Sequence, residues 1–396
     1  MMKRFKRKKQ SRKQVTQRRR LKAQVLEDRL VMAAGISPNV DIRDPNQQLA
    51  RVTFDESNDS VFIGGGYNDA RDIVGEEFAE ITGGTRINAD ELDEILGAIF
   101  TSDRGEAPGL EGVDLVSVSS DSFTIAIDGR AGSKNFIEFS GSEAEAAIDG
   151  VLSQVGNDNY GLDLKNNRSQ VTLFNTDDVN SIFVGSQSAA SDEVDEIIRG
   201  SRLHVNEVAD LYLAAVSGRA DNGTAGLDGV ELIGITDEGF ALRIDAGGDT
   251  VDTIIIEGEA ALEAIAQGDE LRSTDLRDGF TAFDVFDLSQ EDREFIGGTD
   301  GELRDVIGGQ LEAGDVLNLF DALISGNGKA CNTHGVADVT LVGLSATSFA
   351  IRIDSAGGNA DFILFTNVYQ LEGAADYGFV APPPPVEAPE SPFWIC

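Results

Sequence analysis

Cysteine is scarce in this sequence, with two residues among 396. So small a number excludes the disulfide-dense scaffolds on which many small secreted domains depend. Cys331 could pair with Cys396 within one chain, or Cys396 could join a second chain, and the sequence does not choose between these arrangements. Hydrophobic residues make up 41% of the chain, so it is not a disordered polymer.

Histidine is equally scarce, with only His204 and His334 present, and this restricts acid–base catalysis. His204 stands at the start of a helical pattern, where a solvated residue is expected. Cys331 and His334 are three residues apart, but zinc normally needs four ligands and no second cluster exists. The G-x-S-x-G, H-E-x-x-H and G-x-x-x-x-G-K-[ST] motifs are also missing. The sequence therefore predicts a protein that is not an enzyme, without catalytic, cofactor-binding or metal-binding residues.

Basic residues are few beyond the first thirty positions. Residues 1–29 carry a net charge of +11, which leaves −48 for the other 367 residues out of a total of −37. An acidic body of this size repels nucleic acid and anionic lipid. No run of 18 or more apolar residues follows the basic segment, so we expect no transmembrane helix.

The basic N-terminal segment has the order of an export signal, although its apolar patch, 30–34, is shorter than a standard signal core. The residues that end the basic stretch are Leu26, Glu27, Asp28, Arg29 and Leu30. They resemble the Leu-Glu-(Pro or Asp)-Arg-Leu-Leu motif near the N-terminus of many large secreted and cell-surface proteins of planctomycete-type bacteria. The chain departs from the motif at Val31 and Met32, where that family more often has leucine. The resemblance implies export and is silent about activity.

Other interpretations of this basic segment stay open. It could be a tail that binds nucleic acid or a membrane surface, or the start of an amphipathic helix with no export role. The acidic body and the position of the motif favour export. We therefore expect residues 1–40 to be a basic leader and the protein to be extracellular or on the cell surface.

Three copies of one pattern follow the leader, separated by 117 and 109 residues. They are SFTIAIDGRAGS (122–133), GFALRIDAGGDT (239–250) and SFAIRIDSAGGN (348–359). Alternating apolar positions predict a strand, and the apolar run after each glycine-rich loop predicts a hairpin. A dinucleotide-binding turn would open a helix instead, so we interpret these glycines as turn residues. Related segments upstream at 109–118, 226–235 and 335–344 add a strand and complete an antiparallel meander.

A helix is predicted before each meander, because the same apolar positions recur three times at helical spacing. These positions are Leu92, Ile95, Leu96, Ile99 and Phe100, then Val208, Leu211, Tyr212, Ala215 and Val216, then Val316, Leu319, Phe320, Leu323 and Ile324. Segments further upstream at 52–65, 171–186 and 280–298 predict one or two more strands. The sequence thus predicts an α+β fold of three tandem modules of about 110 residues, each an antiparallel sheet (meander) packed by one or two helices.

Short polar joins set the expected module boundaries. They place the modules at 41–160, 161–271 and 272–380, arranged as beads or stacked units rather than one fused core. The tail at 381–396 contains four consecutive prolines, which predict an extended spacer with an aromatic tip.

Calcium is the one cofactor that the acidic body leaves open. The loop 157–163 and the segment 221–223 with Asp228 offer oxygen ligands, but neither fits the EF-hand pattern, so Asx-rich turns are expected. Asp128, Asp245 and Asp354 end the same strand in the three copies, and we expect them to hydrogen-bond the following turn.

A module that recurs without a shared reactive residue predicts a non-catalytic secreted or cell-surface protein with a structural, adhesive or envelope-associated role. Its partners would be further copies of itself, as an oligomer, or other envelope components, and not nucleic acid. One alternative is an extracellular protein that binds polysaccharide or cations, although one Trp and five Tyr give few side chains for sugar stacking. The other is an intracellular protein with a basic nucleic-acid-binding arm.

Overall fold

The computed structural model describes most of the body of the chain and neither of its ends. The described residues are 40–44, 48–54, 60–100, 109–155, 161–162, 164, 169–185, 194, 197–198, 200–217, 227, 229–247, 250–269, 282–289, 293–294, 311–325, 336, 338–345, 347–354 and 360–368. The chain divides into two units, Met1–Pro38 and Asn39–Cys396, and every described residue belongs to the second.

Helices and groups of strands follow one another along this second unit. The described helices are α1 Tyr67–Ile73, α2 Glu76–Thr82, α3 Leu92–Phe100, α4 Ser142–Val155, α5 Val208–Ser217, α6 Glu259–Asp269 and α7 Ala313–Ser325. The described strands are β1 Gln48–Thr53, β2 Ser60–Phe62, β3 Arg86–Asn88, β4 Val113–Val118, β5 Ser122–Asp128, β6 Lys134–Ser140, β7 Gly161–Leu162, β8 Val171–Asn175, β9 Ser181–Val184, β10 Arg202–His204, β11 Val230–Ile235, β12 Gly239–Gly247, β13 Thr250–Glu257, β14 Phe283–Asp287, β15 Arg293–Glu294, β16 Leu311–Glu312, β17 Val339–Leu344, β18 Phe349–Asp354 and β19 Ala360–Thr366. The architecture is α+β, as predicted.

Three four-stranded sheets in the described part of the chain share one strand order. The first sheet is β1-β6-β5-β4, the second is β8-β13-β12-β11 and the third is β14-β19-β18-β17. The last three strands of each sheet in chain order form the predicted antiparallel meander.

The fourth strand of each sheet corrects the expectation of a purely antiparallel sheet. Strands β1, β8 and β14 each pair in parallel with the last meander strand, so the sheets are mixed. A parallel neighbour requires a long crossover connection, and here the connection includes a helix and the first two meander strands. Residue patterns report which positions are buried but not the direction in which a strand joins a sheet.

The first meander strand carries a bulge at the same place in all three sheets. The register shifts between Leu115 and Ser117 in β4, between Leu232 and Gly234 in β11, and between Leu341 and Gly343 in β17. The residue after each shift is small: Ser117, Gly234 or Gly343. A bulge adds local twist and bends its strand, which lets these three strands approach one another.

The helices α3, α5 and α7 lie where they were predicted before each meander, and all of the predicted apolar positions except the half-buried Ala215 are buried. A short antiparallel pair precedes each helix: β2 with β3, β9 with β10, and β15 with β16. The last residue of each pair donates its backbone N–H to a carboxylate three residues later. These bonds join Asn88 to Glu91 (2.8 Å), the exposed His204 to Glu207 (2.9 Å) and Glu312 to Asp315 (3.2 Å).

Each helix layer is shared by two sheets. Helices α3 and α4 pack on the first sheet and also on the far face of the second, which is the face turned away from its own helices. Helices α5 and α6 pack on the second sheet and the far face of the third. Helix α7 packs on the third sheet and the far face of the first. The far-face residues in these shared cores are Val171, Ile233, Ala241 and Ile255 of the second sheet, Phe283, Ala350, Phe362 and Leu364 of the third, and Val116, Ala126 and Phe136 of the first.

The sheets and helix layers therefore follow one another in a closed circle, an arrangement that the predicted beads or stacked units did not specify. It depends on apolar residues on both faces of each sheet. The alternating pattern indicated one buried face, but small residues such as Ala241 and Ala350 lie on the second buried face.

Candidate functional site at the inner strands

The first meander strands β4, β11 and β17, which we call the inner strands, meet at the centre of the circle, where each contacts the other two. Their small residues allow this approach. A Cβ added to Gly343 would overlap the carbonyl oxygen of Ile235, and one added to Gly234 would lie 3.2 Å from the Cα of Ser117. The Ser117 Oγ donates a hydrogen bond to the Leu344 carbonyl (3.0 Å). The backbone thus closes the centre along this half of the inner strands.

A central cavity of about 800 Å³ opens where the inner strands begin. Its apolar lining comes from the inner strands and their neighbours, and includes Val113, Leu115, Val116, Phe136, Leu232, Ile233, Leu341 and Val342. Its charged lining is Glu111, Asp114, Lys134, Glu231, Arg243, Arg352 and Asp354. Polar surface thus exceeds apolar surface in this cavity, whereas a small-molecule binding site is usually apolar with a few polar groups.

One ion pair from each sheet lies at this cavity. Lys134 Nζ is 2.6 Å from Asp114, Arg243 Nη1 is 3.6 Å from Glu231, and Arg352 Nε is 2.9 Å from Asp354. The three cationic side chains keep 38–40% of their surface exposed, so each pair contributes little to stability. The three sheets do not build these pairs alike.

The positions of the cations show this difference. Arg243 and Arg352 occupy matching places in the second and third sheets, where the first sheet has Ala126. Lys134 instead lies on the last meander strand. The three sheets therefore contribute similar backbone to the cavity but different charged side chains.

Two of the three recurring aspartates contact cations in the described part of the chain. Asp354 accepts a hydrogen bond from Arg352, and Asp128 lies 4.0 Å from Lys134. Burial raises the pKa of Asp128, while Lys134 opposes that shift. The side chain of Asp245 lies outside the described part.

At the opposite end of the inner strands, three turns lead into the second meander strands. The turns are 119–122, 236–239 and 345–348. Asp237 accepts hydrogen bonds from Ser345 Oγ (2.7 Å), Ser348 Oγ (2.9 Å) and Thr347 Oγ1. The Ser120 N–H donates to Glu257 Oε1 (2.6 Å). Hydrogen bonds thus join the first turn to the second sheet, and the second turn to the third turn.

Six carboxylates line an open pocket of about 520 Å³ beside these turns: Asp121, Asp177, Asp237, Glu238, Glu257 and Glu259. Glu238 keeps part of its side chain in solvent, yet burial of the rest, together with repulsion from Asp121, Asp237 and Glu257, raises its pKa to about 7. Burial also raises the pKa of Glu257. Sequence reasoning missed this group, and its one visible signal was the pair of adjacent acids in the second turn.

A pH dependence of stability follows from Glu238. A carboxyl whose pKa is higher in the folded state contributes stability below its unfolded pKa, near 4.5, and loses it as pH rises through about 7. We expect the midpoint of thermal unfolding to be higher at pH 6 than at pH 8, and Glu238→Gln to reduce this difference and raise the midpoint at pH 8. The change should amount to a few degrees, because solvent screens a partly exposed group.

The control for this measurement is Glu80→Gln, which removes an exposed carboxylate from α2. It should leave the difference between pH 6 and pH 8 as in the wild type. An unchanged difference in Glu238→Gln would show that the turn carboxylates do not carry the pH dependence.

The residues singled out from the sequence as sites lie outside the described part of the chain. They are Leu26, Glu27, Asp28, Arg29 and Leu30 of the export motif, Cys331 and Cys396, and also His334. Of the two candidate calcium loops, the structure describes 161–162. Among the described residues, no group of three or more His, Cys, Asp or Glu side chains is placed to hold a metal ion. None of the described helices has the length and apolar character needed to cross a membrane.

Comparison with known proteins gives no relative to guide the assignment. No protein-family model matches the sequence, and a search of curated proteins found no match.

Proposed function

We propose that the body consists of three tandem modules of about 110 residues closed into one ring, and that this ring is a non-catalytic structural unit of the cell surface or envelope. The proposal rests on one observation: the three sheets share their packing but do not have the same polar residues at matching positions. A site kept for a reaction in each module would need its reactive groups at matching positions.

The repeated packing supports the modular part of the proposal. The three sheets share strand order, the bulge in the inner strand and the parallel fourth strand. They also share a helix that begins after a short strand pair. Each module buries its helices partly on the next sheet, so each depends on its neighbours, as in other repeat proteins.

The polar groups support the non-catalytic part. At the central cavity, the cations of the second and third modules have an alanine as their counterpart in the first. At the turns, Asp237 is clamped by hydroxyl groups of the third module, whereas the first module has Ser120 at the corresponding place. These groups join modules to each other, which is a structural role.

The surface suits a protein that is exposed and charged. Of the large apolar side chains that the structure describes, only Tyr67 and Leu262 are exposed, at 39% and 44%. Two separate side chains do not form the contiguous apolar patch that marks a hydrophobic interface. Assembly with envelope components or further copies would therefore use polar contacts, and the acidic body favours cationic partners.

The location is tested by intact-mass measurement and N-terminal sequencing of the native protein from separated cell fractions. We expect a chain that begins after about Ala33 or Ala34 in the envelope or the medium. A full-length chain that starts at Met1 or Met2 and remains in the cytoplasm would contradict export, and the basic arm would then become the leading functional element.

A further inference from the structure

At one position on the far face, two of the three sheets have aliphatic residues and the first sheet has a polar pair. In each sheet a residue of the fourth strand is paired with a residue of the last meander strand at the same place on the far face. The pairs are Arg51 with Glu138, Leu173 with Ile255, and Val285 with Leu364. The second and third sheets bury aliphatic side chains there, and Ile255 and Leu364 are each 1% exposed. The first sheet has an ion pair instead.

This ion pair is largely buried, and its arginine also contacts the third module. Arg51 Nε lies 2.8 Å from Glu138 Oε2, and the two side chains keep 16% and 9% of their surface exposed. Arg51 Nη2 also donates to the carbonyl oxygen of Ser345 (2.8 Å), which belongs to the turn of the third module. Close by, Ser117 of the first module donates to the Leu344 carbonyl. The pair therefore contacts the third module directly.

The place of the pair in the ring distinguishes it. The far faces of the second and third sheets are covered by the module that precedes them in the chain. The far face of the first sheet is covered by the third module, far away in the sequence. Chain connectivity brings the first two boundaries together but does not by itself specify the third.

A buried ion pair is an unexpected way to stabilise this third boundary. Removing two charges from water costs free energy that their attraction often does not recover, and aliphatic residues of similar size are commonly as stable or more so. Burial raises the pKa of Glu138, and Arg51 opposes that shift. A single polar position in an apolar interface is best known for fixing the choice and register of partners.

We propose that the Arg51–Glu138 pair selects the third module as the partner of the first sheet and so lets the ring close in one way. With aliphatic residues at this position, the first sheet would match the other two sheets there and accept helix layers from any module, including those of a second copy. With the pair in place, a covering surface must offer a hydrogen-bond acceptor to Arg51, as the Ser345 carbonyl does. The inference rests on the proposed ring of three modules and not on where the protein is found.

The test gives the first sheet the residues of the second, in the double variant Arg51→Leu/Glu138→Ile. The full chain is unfolded in denaturant, refolded and separated by size-exclusion chromatography with light scattering. We expect the double variant to refold with a thermal midpoint equal to or above that of the wild type, and to form dimers and larger species that the wild type does not. The proposal is overturned if the double variant refolds as the same single species as the wild type.

Two further results complete the test. Arg51→Leu and Glu138→Ile each leave one buried charge without its partner, and we expect each single variant to lower the thermal midpoint by roughly 5–10 °C. If the double variant loses as much as the single variants, the pair acts in stability and not in partner choice, and the proposal fails. Fractionation of the native protein is independent of all of these outcomes, so failure here leaves the proposed location untouched.

Discussion

Gly343→Ala is expected to destabilise the whole ring. The added methyl group would overlap the Ile235 carbonyl oxygen where the inner strands of the second and third modules cross. The backbone cannot move away there without separating these two inner strands, each of which has its bulge at this place. We expect the free energy of unfolding to fall by about 3 kcal/mol, the upper end of the usual cost of overpacking, measured by denaturant unfolding of the full chain.

Gly234→Ala is the matched control. It introduces the same methyl group at the same place in the second module, where the nearest atom, the Cα of Ser117, lies 3.2 Å away. The first module already has a side chain at the corresponding position, Ser117, so a small side chain can be accommodated there. We expect Gly234→Ala to cost much less than Gly343→Ala. Equal stability of wild type and Gly343→Ala would contradict the close approach of the inner strands.

Phe349→Ala is expected to have a comparable effect through the core of the third module. The Phe349 ring is fully buried, stacks on Phe365 with centroids 4.5 Å apart, and contacts Phe320 of α7 at 4.9 Å. Removing a ring from such a cluster leaves a cavity and typically costs about 3–5 kcal/mol. The free energy of unfolding should fall by this amount in Phe349→Ala. It should fall less in Phe349→Leu, which keeps most of the apolar volume.

The same variant tests whether the modules depend on one another. Helix α7 covers the far face of the first sheet, so loosening the third module should expose Val116, Ala126 and Phe136. We expect backbone hydrogen exchange to become faster in β5 and β6 of the first module in Phe349→Ala, although the substitution lies in the third. Faster exchange confined to the third module would mean that the modules fold separately.

The helices and meanders could be predicted from the sequence because each has one dominant buried face. The spacing of Leu92, Ile95, Leu96 and Ile99 predicts the face that α3 buries, and the alternation in 122–128 predicts β5. Threefold recurrence strengthened both predictions, because an accidental pattern is not expected to repeat at the same positions. The solvated start of the second of these helices at His204 was also predictable from its neighbours.

The parallel fourth strand and the shared cores could not be predicted in the same way. A strand such as QLARVT has no signal for its direction, and its Arg51 suggests a solvated face. In the fold that arginine is buried against Glu138 and the third module. Whether the far face of the first sheet is buried depends on α7, more than a hundred positions away, which local patterns do not report.

The turn carboxylates were missed for a related reason. Asp121, Glu238 and Glu257 are spread over more than 130 residues and come together only when the first two modules pack. Each acid on its own is an ordinary turn or strand-end residue. Their shared environment, and the raised pKa of Glu238, exist only in the closed arrangement.

Calorimetric unfolding of the full chain tests the closed ring most directly. If each module completes its core on its neighbours, the body should unfold in one cooperative transition whose calorimetric and van 't Hoff enthalpies agree, and Phe349→Ala should move that whole transition to lower temperature. Separate transitions, of which Phe349→Ala moves one and leaves the others in place, would show that the modules are independent beads and contradict the ring.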